Sequence, residues 1–289
     1  MNIALTGSSG TLGSKILRDL RLMNHNVLCI SSSLSSHKDN VYLYEELNHQ
    51  SVNFKADYIF HLASINSNLS ESEMSLELSL MKKVIKSMKY INCEKIIFFS
   101  TSKVYGDNSF IFQQFDENSE LSPKCFYGKA KAKCEETLIK KSSEHNYNYL
   151  IFRLPPVLLD DQKSALGKLL QIVKKGVPIP SFRIGDKNER SFLSYELLVH
   201  IISLVVSDIR NVNNNTLNLS DSSIMSIHDL LRKFGESVNK KPKIIYLPDF
   251  FFKTMMRVNR LQSVLSRLYG NFHLSNAKLK REFEVPDKF

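Results

Sequence analysis

The stretch Thr6-Gly7-Ser8-Ser9-Gly10-Thr11-Leu12-Gly13 constrains this chain more than any other. It follows the apolar run Ile3-Ala4-Leu5 and leads into a helical pattern from residue 11. A strand that turns into a helix through evenly spaced glycines needs a backbone path that side chains would obstruct. Gly7 ends the strand and takes the tight turn, Gly10 leaves nothing in the way of a pyrophosphate, and Gly13 lets the helix lie close on the sheet. The helix N-terminus then offers its free N–H groups to the phosphates. Gly7, Ser9, Gly10, Thr11, Leu12 and Gly13 are therefore candidate contacts of a dinucleotide cofactor. The plainer reading, a glycine turn without a ligand, is opposed by the strand before it and the helix after it.

The same alternation continues along the chain. Strands are expected at 2–5, 26–31, 57–62, 95–100 and 147–153, with helices at 11–23, 73–90 and 126–145. The strands are nearly continuous apolar runs, as in a parallel sheet covered on both faces. After Pro155-Pro156 the rhythm changes. Helices are expected at 163–175, 195–208, 226–238 and 249–268, and one further strand at 215–220. Ser226 and Asp229 have the spacing of a capping box. The fold class expected is α/β: a doubly wound parallel sheet over residues 1–155, then a smaller α/β lobe over 156–289, of which one or two segments are free to return to the sheet. The Ser-rich stretch at 31–36 and the run at 211–215 read as polar loops.

Composition narrows the partners. The formal net charge of +10 favours anionic ones. Lys and Arg show neither zinc-finger spacing nor an RNA-binding signature, so a nucleotide ligand or a weak attraction to an acidic membrane surface is expected rather than nucleic acid. The longest apolar run, 197–206, is broken by His200 and Ser203 and falls short of the roughly 20 residues that span a bilayer. Cys29, Cys93, Cys125 and Cys134 have neither metal nor disulfide spacing, which suits reduced thiols in the cytoplasm and no metal site. The stretch 249–270 is apolar and basic at helical spacing, and packing on the second lobe is favoured over resting on a membrane.

An acid at the end of the second strand would hold the adenosine ribose of NAD. Ser31, Ser32 and Ser33 stand there instead, with His37 and Lys38 beyond. Hydroxyls and a cation suit a 2′-phosphate better, so NADP(H) is expected, with NAD(H) as the alternative. Further on, Tyr127 and Lys131 lie one helical turn apart and share a face. An ammonium beside a phenol lowers its pKa from about 10. Tyr127 is then expected to exchange protons near neutrality, and Lys131 to reach the nicotinamide ribose as well. Thr101 follows a strand end, where open α/β sheets place their ligands, and is a candidate to hold a substrate hydroxyl or ketone. Each signal alone is weak: such a Tyr-Lys pair can be surface helix, Tyr105 can pack and Lys103 can be solvated. The ordered set is specific: glycine loop, His61-Leu62-Ala63-Ser64, Ser100-Thr101-Ser102-Lys103-Val104-Tyr105-Gly106, then Tyr127-Gly128-Lys129-Ala130-Lys131.

That set resembles the extended short-chain dehydrogenase/reductases of the nucleotide-sugar epimerase/dehydratase family, and segments 178–202 and 267–283 look like the substrate lobe of its UDP-glucose 4-epimerase-like branch. The resemblance implies a Rossmann-type sheet, a UDP-linked sugar as substrate and a homodimer. It makes Thr101 the catalytic hydroxyl, Tyr127 the acid/base and Lys131 its partner. Ser31, Ser32, Leu62, Ala63, Tyr127 and Lys131 then surround the cofactor. Thr101, Ser102 and Lys103 face the sugar, and Arg190 contacts the nucleotide phosphates. Some positions depart from the family. Ser102-Lys103 replaces the Asp-Glu pair of the 4,6-dehydratases, which argues against water elimination. Leu76 stands where many members carry Asn, and a family motif has become Arg153-Leu154-Pro155-Pro156 followed by Val157 to Asp161. Cys125 and His61 are read as packing residues. The activity expected is NADPH-dependent reduction of a 4-keto-6-deoxy sugar for lipopolysaccharide or a similar surface polysaccharide. The alternatives are a UDP-hexose or UDP-N-acetylhexosamine 4-epimerase and a non-catalytic nucleotide sensor.

Overall fold

The computed structural model describes residues 1–32, 41–44, 47, 53–66, 68–160, 164–208 and 213–285. Ser33, His37, Lys38, Asp161 and Asn211 lie outside the described residues. The chain divides into two compact units.

The first unit comprises Met1–Gly106, Glu120–Leu154 and Leu198–Asn218. Its strands are β1 (Asn2–Thr6), β2 (Asn26–Ser31), β3 (Val41–Leu43), β4 (Tyr58–His61), β5 (Lys95–Thr101), β7 (Asn148–Leu154) and β12 (Asn215–Asn218). They form one parallel sheet in the order β12-β7-β5-β4-β1-β2-β3. The chain runs outward from β1 through β2 to β3, then returns to place β4 on the other side of β1. That reversal is the switch point at which such sheets open a ligand crevice beyond the strand ends. The helices are α1 (Thr11–Leu22), α2 (Met74–Tyr90), α3 (Phe126–His145) and most of α5 (Tyr195–Ser207). The sequence expectations for these elements hold to within a residue or two, except that β3 was not expected, and the strand expected at 215–220 does return to the sheet, beside β7.

Both faces of the sheet are covered, which is why its strands read as unbroken apolar runs. On one face Ala4, Ile30, Ile59, Ile96, Phe98 and Ile151 pack with Met81, Val84 and Met88 of α2 and Leu138 of α3. Each large side chain so buried contributes about 1.5–3 kcal/mol. A polar chain also runs through this interior. The Glu135 carboxylate of α3 accepts hydrogen bonds from Ser100 and, at 2.7–3.3 Å, from Arg153 Nε and Nη2. Arg153 Nη1 donates to the Tyr105 hydroxyl at 2.8 Å, which donates onward to Asn218 Oδ1 at 2.8 Å. Tyr105 does more than pack: it completes a relay that pins β5, α3, β7 and β12 together.

The second unit comprises Asp107–Ser119, Pro155–Leu197 and Leu219–Phe289. Short strands pair within it: β6 (Gln114–Phe115) with β15 (His273–Leu274), β8 (Val157–Leu158) with β11 (Leu193–Ser194), β9 (Ile179–Ser181) with β14 (Ile244–Tyr246), and β10 (Arg190–Ser191) with β13 (Ile224–Met225). The helices are α4 (Ala165–Lys175), α6 (Ile227–Ser237), α7 (Asp249–Met255), α8 (Asn259–Tyr269) and α9 (Ala277–Phe283). Phe182, Phe192, Leu230, Leu265 and Tyr269 form its core. Ser226 and Asp229 close the expected capping box on α6. The single helix expected over 249–268 is broken into α7 and α8, because Val258 turns extended (φ −101°, ψ 110°). Phe252, Met255 and Met256 pack on the core of this unit, while Phe250 and Phe251 stay exposed.

Ser181 Oγ lies 2.7 Å from His228 Nε2, and His228 Nδ1 lies 2.8 Å from Asp186 Oδ1. This has the order of a hydrolytic triad. Ser181 and His228 are both buried, however, and the Tyr269 hydroxyl engages the serine at 2.8 Å. The group is a clamp between β9, α6 and α8.

Candidate active site

The glycine loop lies at the switch point. Gly7 takes φ +78°, and a Cβ there would meet Ala63 N at 2.6 Å and the Leu62 carbonyl carbon at 2.8 Å. A Cβ on Gly13 would meet Gly7 O at 2.0 Å. Gly10 donates its N–H to Gly7 O at 3.0 Å and stands at the N-cap of α1 without a side-chain cap. Ser9, Gly10 and Thr11 are exposed and Leu12 is half-buried, so the first N–H groups of α1 face an open cradle. The helix has no acidic residue in its first turn. This is a donor set for a pyrophosphate, and a side chain at Gly7 or Gly13 would collide with the backbone that shapes it. At the end of β2, Ser31 is half-buried and Ser32 exposed.

Leu62 and Ala63, both half-buried, back this turn. Thr6 Oγ1 accepts the Ala63 N–H at 3.2 Å and lies 2.8 Å from His61 Nδ1. His61 is a core residue, as expected, stacked on Phe98 at 5.3 Å. Burial, reinforced by the Lys131 charge, holds its pKa well below the usual histidine value, so the ring is neutral.

Beyond β5, Thr101 is buried and its Oγ1 accepts the Lys103 N–H at 3.3 Å, opening a short turn over Ser102–Val104. Ser102 is buried in that turn and Lys103 is exposed. No carboxylate follows Thr101, in keeping with the argument against dehydration. The turn lies against the first turn of α3 because residue 128 is glycine: a Cβ there would meet Lys103 O at 2.6 Å. Cys125 accepts the Gly128 N–H at 3.4 Å, which makes it the cap of α3. The half-buried Tyr127 is thus flanked by two ammonium groups, Lys103 Nζ at 5.7 Å and Lys131 Nζ at 5.8 Å from its ring centre. The structure therefore brings Thr101, Ser102, Lys103, Tyr127 and Lys131 into one neighbourhood.

Leu76, where many members of the resembled family carry Asn, is half exposed, and its neighbour Glu77 is buried. Glu77 Oε1 lies 2.9 Å from Lys131 Nζ in a fully buried ion pair. The signal was present in the sequence, since Glu77 shares the helical register of Leu80, Met81, Val84 and Met88, where a charge needs a partner. One expectation is corrected, that for Tyr127. Its pKa stands above the ordinary phenol value: burial raises it most, Lys131 lowers it, and Glu77 raises it again. The expected lowering ignored both the burial and the carboxylate. Burial opposes the charge on Lys131, but Tyr127 and Glu77 outweigh it and its pKa is raised.

Arg190 belongs to the second unit. Its guanidinium lies 5.3 Å from the Phe192 ring centre and donates from Nη1 to Leu268 O at 3.5 Å. Its buried Nε has no hydrogen-bond partner among the described residues, and desolvation lowers its pKa to about 10. A cation held this dry and incompletely bonded suits an anion. Among the described residues, no group of three or more His, Cys, Asp and Glu could hold a metal, and no helix is long and apolar enough to cross a membrane.

The chain is similar to known proteins over nearly its whole length. The chain is 22% identical over 296 residues to a UDP-glucose 4-epimerase of Vibrio cholerae, covering 96% of this chain and 88% of the relative. The structure of UDP-glucose 4-epimerase from Thermotoga maritima with UDP-glucose superposes with a TM-score of 0.71 at 21% identity, over 97% of this chain and 92% of that one. The structure of UDP-glucuronic acid 4-epimerase from Bacillus cereus with NAD gives 0.75 at 16% identity, over 100% and 94%. Residues 3–220 match the NAD dependent epimerase/dehydratase family, and the chain belongs to that family.

Proposed function

We propose that the protein is an NAD-dependent 4-epimerase of a UDP-linked hexose or N-acetylhexosamine. The observation that carries this reading is the Thr101, Tyr127 and Lys131 group beyond the end of β5, on the same sheet edge as the glycine cradle. The activities of these similar proteins support an epimerase over the 4-keto reductase expected from sequence. When bound, NAD supplies a hydride acceptor and donor for the sugar's C4 and a positive ring charge that favours the phenolate. The chain's own residues do the proton work. Tyr127 takes the proton of the C4 hydroxyl and returns it to the opposite epimer, and Thr101 holds the C4 oxygen. Lys131 keeps the phenol oriented and reaches toward the cofactor ribose. Gly7 to Gly13 hold the cofactor pyrophosphate. On the resemblance, Arg190, whose Nε has no hydrogen-bond partner among the described residues, donates to the diphosphate of the substrate.

Reduction of a 4-keto sugar by NADPH is the second reading. It is favoured by one observation: Ser31 and Ser32 stand at the end of β2 where a carboxylate would select NAD. On the resemblance alone, we place the work in the cytoplasm, in a homodimer, supplying precursors of a surface polysaccharide. Purified protein incubated with UDP-hexoses distinguishes the readings. Interconversion of C4 epimers without net cofactor consumption supports the epimerase, and stoichiometric loss of NADPH with a 4-keto sugar supports the reductase. No turnover in either assay, with cofactor bound and Tyr127→Phe indistinguishable from wild type, leaves the nucleotide sensor.

A further inference from the structure

We propose that Glu77 is a positioning residue of this site, whose carboxylate clamps the Lys131 ammonium to the loop behind the glycine turn, so that Lys131 serves Tyr127 as a fixed and charge-balanced partner. The proposal rests on the reading of Tyr127 as the acid/base.

The geometry joins three segments. Glu77 lies in the first turn of α2 and is 2% exposed. Its Oε1 accepts from Lys131 Nζ at 2.9 Å and from Ser64 Oγ at 2.9 Å, and its Oε2 accepts the Ile65 N–H at 2.8 Å. One carboxylate thus links α3, which carries Tyr127, to the loop whose Ala63 packs against Gly7. The ammonium is further fixed over the Phe98 ring, at 4.9 Å from its centre. Stability alone does not explain such a pair, because buried ion pairs are often replaced by apolar residues at no cost.

The charges around the phenol make the consequence calculable. Lys103 faces Tyr127 from the turn after β5, Lys131 and the thiols of Cys125 and Cys134 from α3, and Glu77 from α2. His61 of β4 faces Lys131 and is neutral. With Glu77 in place, one of the two ammonium charges is cancelled at close range. Tyr127 then rests as a protonated phenol and ionises, ready to accept the hydroxyl proton, only when a further positive charge arrives. Without the carboxylate, both cations act on the phenol uncompensated.

The test is a pH titration of Tyr127 in the full chain by carbon-13 NMR of ring-labelled tyrosine, the resonance being assigned with Tyr127→Phe. In Glu77→Gln the Tyr127 midpoint is expected to fall by about one unit, a tenfold rise in phenolate at fixed pH. The acidic limb of the pH–rate profile should move in the same direction, with kcat changing more than KM. Glu77→Asp, which keeps the charge, should recover most of the shift. The double variant Glu77→Gln/Lys131→Met removes both charges and replaces the pair without stranding either partner. It should titrate close to wild type, and it decides the matter even if the single variant does not fold. A wild-type titration in folded Glu77→Gln, or a double variant whose midpoint rises by the full loss of a lysine, overturns the proposal. The titration needs no substrate. A failed clamp therefore appears as an unmoved midpoint, whereas a failed epimerase reading appears as a wild-type protein without turnover.

Discussion

Replacing Gly128 by alanine tests the site through a residue that does no chemistry. The new methyl would sit 2.6 Å from Lys103 O and 3.1 Å from the Lys103 carbonyl carbon, with Pro123 Cβ at 3.2 Å behind it. Relief toward Pro123 is blocked, so α3 and the turn after β5 must part. Opening the contact from 2.6 Å to the 3.4 Å of ordinary van der Waals contact requires a shift of about 0.8 Å. Overpacking of this kind costs about 1–3 kcal/mol, which lowers Tm by a few degrees. The catalytic cost is larger. Thr101 and Tyr127 lie on the two sides of this contact, and misplacement by about 1 Å costs on the order of 10²-fold in rate. The glycine cradle is untouched, so NAD affinity should stay within about twofold. Steady-state kinetics, a thermal melt and cofactor titration on one preparation measure all three. A folded Gly128→Ala protein with wild-type kcat would refute the argument that this glycine sets the working distance between Thr101 and Tyr127.

Three further outcomes are expected. Gly13→Ala places a methyl 2.0 Å from Gly7 O, so dinucleotide binding measured by calorimetry should be lost while circular dichroism keeps the helical content. Arg153→Met leaves the Glu135 carboxylate buried with Ser100 as its remaining side-chain partner and should cost about 3–5 kcal/mol in urea unfolding. Because burial depresses the pKa of His61 far below that of the unfolded chain, the unfolded state binds a proton below about pH 6.5 that the folded state does not. Its contribution is therefore complete above that pH and lost as the pH falls further, at about 1.4 kcal/mol per unit. His61→Gln should flatten the dependence of the urea midpoint on pH in that window.

The parts of this protein that were readable from sequence are those where a residue type states its own physical demand. Glycines at 7, 10 and 13 declare a backbone path, and the unbroken runs of β1, β4 and β5 declare a sheet covered on both faces. Tyr127 and Lys131 share a face by helical spacing alone, and Ser226 with Asp229 announces the start of α6. What was not readable depends on partners far away in the chain. Glu77 shows its part only in the folded chain, where it is buried against Lys131. The direction of the Tyr127 shift depends on it, since a lysine taken alone lowers the phenol and a lysine paired with a carboxylate does so much less. Nothing local in the sequence marks Gly128, whose role is to admit the Lys103 carbonyl. Strands of two or three residues, such as β6, β8 and β10, are too short to carry a periodic pattern. The break between α7 and α8 has neither glycine nor proline to mark it.

The central claim is that Tyr127, assisted by Thr101 and Lys131, transfers the C4 hydroxyl proton of a UDP-sugar whose hydride leaves and returns to the same carbon. Turnover of UDP-hexose carrying deuterium at C4, in unlabelled solvent and with the product examined by NMR, tests it most directly. The account predicts the inverted C4 epimer with deuterium retained at C4, and no such product from Tyr127→Phe that still binds NAD. Loss of the label to solvent, or an unchanged rate in Tyr127→Phe, would contradict it.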